Sequence, residues 1–234
     1  MDPKTNFLLL HRIAITLIPG VGDVNGKKLI SYCGSAEAVF REKRKKLMKI
    51  PGMGMSTVNS ILGTKVLGRA EKELRFIEKF RIRPLYYLED GYPQRLKHCM
   101  DGPVMLYLLG KADLNARHVL SVVGTRRASA YGREMTEKII EGLKGLDVLV
   151  VSGLAFGIDT LAHRAAMANE LPTTGILAHG LDRIYPGVNR KLAVKMQENG
   201  GLLTEFLSGT NPDRENFPKR NRIVAGMADA TLVI

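Results

Sequence analysis

The chain has 234 residues, a formal net charge of +12 and a sequence pI near 9.8, which gives length for one or two domains and a field that favours polyanionic partners. Its two cysteines, Cys33 and Cys99, lie far apart and outside any CxxC pair, so a disulfide scaffold and a structural zinc site are excluded, and no cofactor is indicated. The short apolar run Phe7–Leu10 does not resemble a signal peptide and no apolar stretch approaches bilayer-spanning length, so a cytoplasmic protein with no membrane association is expected.

Residues 1–80 carry 15 Lys and Arg against 7 Asp and Glu, while residues 81–234 carry 20 against 16, so most of the excess is N-terminal. In this part the sequence Ile18-Pro19-Gly20-Val21-Gly22 returns as Ile50-Pro51-Gly52-Met53-Gly54. Helically spaced apolar residues follow each copy, Val24, Leu29 and Ile30 after the first and Val58, Ile61 and Leu62 after the second. The pattern predicts two units of helix, glycine hairpin and helix. It resembles the helix-hairpin-helix motif, in which glycine hairpins present backbone amides to DNA phosphates. Gly20, Gly22, Gly52 and Gly54 are then candidate contacts, because a side chain would hold a phosphate away from the amides. A helical bundle whose hairpins have lost DNA binding is an equal alternative. The basic run Arg41, Lys43, Arg44, Lys45, Lys46 and Lys49 reads either as a solvated helix face or as part of such a contact.

A helix over about 66–79 leads into a second part. Short strands are predicted at Leu85–Leu88 and Met105–Leu109. Strands and helices then alternate: strand 119–123, helix 132–143, strand 148–151, helix 158–169, strand 173–178, helix 188–198, strand 202–206, helix 218–227 and strand 230–234. This βαβα order predicts a Rossmann-like parallel sheet with helices on both faces over 81–234, preceded by a small all-α helix-hairpin-helix (SAM-like) domain over 1–80.

Ligands of such sheets bind outside the carboxyl ends of the strands. After Val123 comes GTRRASAYG, where Gly124 permits close approach and Arg126 and Arg127 offer guanidinium forks to phosphate oxygens. After Val151 comes SGLAFGID, in which Ser152, Gly153 and Gly157 lead into a helix whose first amides lack intrahelical partners that a phosphate could supply. After Ala178 comes a loop with Gly180, Arg183, Tyr185 and Asn189. The loop after Phe206 brings Lys219, Arg220 and Arg222 to a helix start, where cations oppose the helix dipole unless an anion sits there. Phe217 just before that helix reads as a stacking platform for a base or as a hydrophobic staple. Asn221 either meets a base edge or holds the loop. A Ser152, Asp159, His163 hydrolase triad is disfavoured, because the GxSxG elbow is absent and the last two residues share one helix face. Asp159 and His163 have no third metal ligand at sensible spacing, and no GxxxxGK[ST] occurs.

Taken together, SVVGTRRASAYG (121–132), VVSGLAFGIDTLAH (150–163), HGLDRIYPGVNRKL (179–192), TEFLSGT (204–210) and NFPKRNRIVAG (216–226) resemble the DprA (Smf) family of bacterial DNA-processing proteins. The resemblance implies a non-enzymatic role in natural transformation: binding incoming single-stranded DNA as a homodimer, displacing single-strand-binding protein and loading a RecA-type recombinase. Carried over residue by residue, the DNA pocket would involve Gly124, Arg126, Ser152, Gly153, Phe217, Lys219, Arg220, Asn221 and Arg222. Family members normally continue beyond the point matched by Ile234, through the rest of the sheet and often a winged helix. The resemblance thus implies a truncated domain with exposed apolar surface and unpaired strand edges, and reduced stability or self-association. A second resemblance is to lysine-decarboxylase-like Rossmann enzymes or sensors acting on nucleotides. Their PGGxGTxxE loop would begin where the sequence stops.

Overall fold

The computed structural model describes residues 2–234, which divide into two compact units. One runs through Arg81 and includes Met100–Met105; the other comprises Ile82–Cys99 and Leu106–Ile234.

The first unit holds helices α1 (Pro3–Thr16), α2 (Asp23–Cys33), α3 (Ala36–Arg41), α4 (Arg44–Leu47), α5 (Met55–Gly63) and α6 (Leu67–Phe80). The Asp2 carboxylate accepts the Lys4 and Thr5 amides and so starts α1. The repeated pentapeptides form matched hairpins. In each a backbone bond closes the turn, Val21 N to Ile18 O at 3.0 Å and Met53 N to Ile50 O at 3.1 Å. Gly20 and Gly52 sit at φ +76° and +81°, the left-handed region that favours glycine. Ile18, Val21, Ile50 and Met53 are buried, and together with Ile13, Leu29, Val39, Leu47, Val58, Ile61 and Ile77 they supply the apolar anchor that turns each hairpin's polar backbone outward. Gly22 and Gly54 cap α2 and α5 in extended conformation.

The second unit is built on seven strands, β1 (Arg83–Tyr86), β2 (Met105–Gly110), β3 (His118–Val123), β4 (Val148–Ser152), β5 (Thr173–Ile176), β6 (Gly201–Thr204) and β7 (Ala230–Val233), ordered β1-β2-β6-β5-β4-β3-β7. Between them run α7 (Gln94–Lys97), α8 (Ala130–Glu141), α9 (Ile158–Ala168), α10 (Arg190–Met196) and α11 (Asn216–Gly226). Strands β3 to β7 pair in parallel. The sheet departs from the all-parallel expectation at β2, which lies antiparallel to β6 with Tyr107 opposite Thr204. The reason is the connection to β3: residues 111–117 are too few for the dozen-residue crossover that a parallel return takes. One face packs Leu106, Leu108, Val119, Leu149, Val151 and Leu203 under Ile223, Val224 and Met227 of α11. The other packs Val122 and Val150 under Ile140 of α8 and Ile158, Leu161, Ala162 and Ala165 of α9. Burial on both faces accounts for the unbroken apolar run of β4.

Successive strands β4, β5 and β6 step away from β3 in one direction and β7 lies on its other side, so strand order reverses at β3. The carboxyl end of β3 is therefore where the sheet opens a crevice. Among the described residues, no helix is long and apolar enough to cross a membrane.

Candidate nucleic-acid interface

Two cavities open at this end of the sheet. The larger, about 310 Å³, is lined by Gly124, Arg126, Asp159, Phe217, Arg220 and Asn221 among others. The smaller, about 80 Å³, is lined by Arg126, Gly153, Phe156, His179, Tyr185 and Phe217 among others. Arg126 and Phe217 border both.

The β3–α8 loop supplies the open cations. Arg126 and Arg127 are exposed and form no ion pair among the described residues. The Arg126 guanidinium lies 5.5 Å from the centroid of the Phe217 ring, a cation–π contact that steadies the side chain without neutralising it. Tyr185 meets the same ring edge-on, with centroids 6.3 Å apart. Gly124 serves packing: a Cβ there would stand 2.6 Å from Ile158 Cγ1.

The β4–α9 turn corrects one expectation. Its amides are engaged from within the protein: Ile158 N donates to Thr125 O at 3.1 Å, and Gly153 N and Ala155 N donate to the Asp159 carboxylate at 3.1 and 3.3 Å. A neighbouring carbonyl thus takes the first amide of the helix, and the chain's own side chain takes two amides of the turn before it. Gly157, at φ +76°, permits the close approach, since a Cβ there would overlap the Thr125 carbonyl oxygen. Ser152 is fully buried and its hydroxyl donates to Val122 O at 2.6 Å.

Beneath the turn lies Arg220, 5% exposed, donating to Gly153 O at 2.5 Å and to Ile176 O. A Cβ on Gly153 would overlap this guanidinium, so that glycine makes room for Arg220. Burial raises the Asp159 pKa and the nearby Arg220 charge opposes the rise. Burial also lowers the Arg220 pKa. The pair props the pocket floor.

Helix α11 begins at Asn216, two residues before the expected start, so Phe217 lies inside its first turn instead of ahead of it as a staple. No acidic residue occupies that turn. Lys219 and Asn221 are exposed, and Lys219 forms no ion pair among the described residues. Arg222 is different: its guanidinium is bound to the partly buried Glu205. Arg183 is likewise held, by Asp182 at 2.8 Å and by Asn211.

The structure thus brings Gly124, Arg126, Phe217, Arg220 and Asn221 to one cavity, places Gly153 on the adjoining smaller one, and puts Ser152 beneath. Phe156 and His179, which sequence reasoning does not single out, line the smaller cavity together with Tyr185. His179 holds Tyr185 in place, its Nδ1 donating to Gly180 O at 2.9 Å and its Nε2 accepting the Tyr185 amide at 3.2 Å. The aromatic residues following glycine in the GLAFG and GLDRIY loops were the available signal. The triad geometry is absent: His163 is buried against Thr173 Oγ1 at 2.7 Å, not against Ser152. Among the described residues no group of three His, Cys, Asp or Glu is placed to hold a metal. The four hairpin glycines lie in the first unit; nothing stands within 4 Å of a Cβ built on Gly20, Gly22 or Gly54, whereas Lys28 Nζ lies 3.2 Å from one built on Gly52.

A mostly parallel α/β sheet with a cation-bordered cavity at its switch point, joined in sequence to a tandem-hairpin helical unit, defines a Rossmann-like α/β protein with a helix-hairpin-helix module. Residues 83–234 match the DNA recombination-mediator protein A family and residues 13–62 match the SAM-like helix-hairpin-helix tandem. The chain belongs to this DprA/Smf family of DNA recombination mediators, which decides between the two resemblances read from sequence. It is 32% identical to Protein Smf of Synechocystis over 229 residues, 95% of this chain and 57% of that protein. It is 40% identical to DNA processing protein DprA of Streptococcus pneumoniae over 146 residues, 62% of this chain and 51% of that one. The chain spans about half the length of these curated relatives. The X-ray structure of the pneumococcal DNA processing protein A is similar with TM-score 0.79 and 30% identity, over 96% of this chain and 77% of that chain. A structure of the Helicobacter pylori protein, which concerns its single-stranded DNA binding mode, matches with TM-score 0.59 and 28% identity, over 66% and 69% of the two chains.

Proposed function

We propose that the second unit binds single-stranded DNA at the carboxyl ends of its strands, with phosphates on Arg126, Arg127 and Lys219 and a base against Phe217 and Tyr185. One observation carries this reading: an exposed guanidinium without an ion-pair partner lies on an aromatic ring shared by two adjoining cavities. That combination suits a flexible anionic strand whose bases are free to stack, and it demands no particular sequence. The Helicobacter pylori relative supports the choice of ligand. Ser152, Asp159 and His163 are engaged in the core, which favours binding over turnover. The wider role is that of the family: a homodimer that protects incoming DNA, displaces single-strand-binding protein and loads a RecA-type recombinase during natural transformation.

The test is a salt-titrated mobility assay with a single-stranded oligonucleotide. Arg126→Ala and Lys219→Ala should each lower the slope of log affinity against log salt by about 0.7. Unchanged slopes in both variants would exclude the assigned pocket.

A further inference from the structure

Residues 124–133, which lead from β3 into the first turn of α8, contain Arg126, Arg127 and Arg133 and no carboxylate. All three arginines are exposed, and none forms an ion pair among the described residues. Tyr131 lies in the same turn and, at 70% exposure, is the most open aromatic ring among the described residues. A lone exposed ring is ordinary, but this one stands among uncompensated cations. Arg133 also sits near the positive end of the α8 dipole, in a first turn without an acidic residue, a placing that an anion relieves.

The turn is pinned in place and adjoins the pocket. Thr125 Oγ1 accepts the Arg127 amide at 3.1 Å, while Ser129 accepts the Gly132 amide on Oγ at 3.1 Å and the Arg133 amide on its carbonyl at 3.0 Å. Gly124, which lines the larger cavity, and Gly132, next to Tyr131, pack on the same side chain. A Cβ on the first would stand 2.6 Å from Ile158 Cγ1, and one on the second 3.7 Å from Ile158 Cδ1. The residues that lead into α11 ahead of Phe217 differ in charge: they include exposed Asp213 and Glu215, which repel a phosphate chain.

We propose that single-stranded DNA leaves the pocket over the first turn of α8, where the Tyr131 ring stacks on a further base and Arg133 takes a phosphate. This path rests on the pocket assigned above and adds a second stacking platform to it. Cations on either side of an open ring fit a strand whose phosphates alternate with unpaired bases. A duplex, whose bases are already stacked on one another, offers the ring nothing.

The chain contains no tryptophan, so Tyr131→Trp makes a sole fluorescent reporter of stacking. It is compared with Phe217→Trp in the pocket and with Leu146→Trp, an exposed position beyond the other end of α8. Each is titrated with oligothymidylate of about 12 nucleotides and with a blunt duplex. Oligothymidylate should quench the emission of Tyr131→Trp and of Phe217→Trp and leave Leu146→Trp unchanged, and the duplex should not quench Tyr131→Trp. In mobility assays Tyr131→Ala should lower affinity at least about fivefold with the salt slope kept, and Tyr131→Phe should restore it. Arg133→Ala should lower the slope by about 0.7. Quenching at Phe217→Trp with none at Tyr131→Trp would overturn the path and leave the pocket standing. Quenching at Tyr131→Trp with none at Phe217→Trp would uphold the α8 platform and overturn the pocket. Equal quenching at Leu146→Trp, or quenching of Tyr131→Trp by the duplex, would mean diffuse contact and overturn stacking at Tyr131. Thermal melts of all variants confirm that the substitutions leave the fold intact.

Discussion

The turn from β4 into α9 and the first turn of α11 border the same pair of cavities but use their polar groups differently. In the β4–α9 turn the amides of Gly153, Ala155 and Ile158 are satisfied by Asp159 and Thr125. On α11 the Lys219 ammonium projects to solvent with no acidic neighbour in its turn. A helix start is an anion site only while its donors stay open. A short side chain such as Asp159, placed to fold back, takes up the turn amides that precede its helix. In the proposed site the glycine-rich turn is therefore the wall, and the binding chemistry is assigned to Arg126, Arg127, Lys219 and the Phe217 ring.

Four experiments separate wall from binding surface. The largest effect should come from Arg220→Ala, which leaves the Asp159 carboxylate buried without its cation and removes donors from Gly153 O and Ile176 O. A loss of about 3–5 kcal/mol in denaturant unfolding is expected; a stable variant that merely fails to bind DNA would move Arg220 from wall to binding surface. Acid should weaken the wall next. Thr173 Oγ1 donates to Val150 O, so His163 carries its proton on Nδ1, and its buried Nε2 has no partner among the described residues. Burial, assisted by Arg220, lowers its pKa from 6.5 to about 3. Between those values the unfolded chain binds the proton and the folded chain does not, so stability is present above pH 6.5 and is lost as pH falls toward 3, by up to about 1.4 kcal/mol per unit. His163→Gln should flatten that part of the stability profile relative to the parent.

Phe217→Ala should reduce single-strand affinity by about 1–3 kcal/mol while keeping the salt slope; a changed slope with unchanged affinity for bases would mean the ring acts only through Arg126. The smallest effect on DNA is expected for Arg222→Ala. Glu205 already holds that guanidinium, so the salt slope should shift by much less than the roughly 0.7 expected per phosphate contact, and the consequence should appear in thermal stability. A full loss of slope at Arg222 would show that DNA displaces Glu205.

Much of the fold was legible in sequence because its signals are local. The repeated Ile-Pro-Gly-x-Gly marks both hairpins, since a positive φ at Gly20 and Gly52 and an apolar anchor on either side are requirements written into five residues. The all-apolar β4 and the alternating order of strands and helices announced the doubly covered sheet. The antiparallel β2 was missed because strand direction depends on where residues 111–117 must reach, which periodicity does not express. At the candidate site, residue types single out Arg126, Phe217, Lys219 and Arg220 alike, and do not tell that Arg220 is buried while Lys219, one position away, is exposed. Helical geometry sends adjacent residues to different faces, and the start of α11 had been placed two residues late.

The sequence by itself determined the class of the chain: a basic helical hairpin tandem followed by a Rossmann-like sheet with phosphate-suited residues in the loops at one end. Only the tertiary structure decided which of those residues remain available. Availability depends on neighbours distant in sequence: Thr125 taking the Ile158 amide at the start of α9, Glu205 taking Arg222, and Gly153 and Ile176 taking Arg220. A donor's chemistry is set by its residue type, but whether a ligand can reach it is set by what the fold has already placed within hydrogen-bond distance.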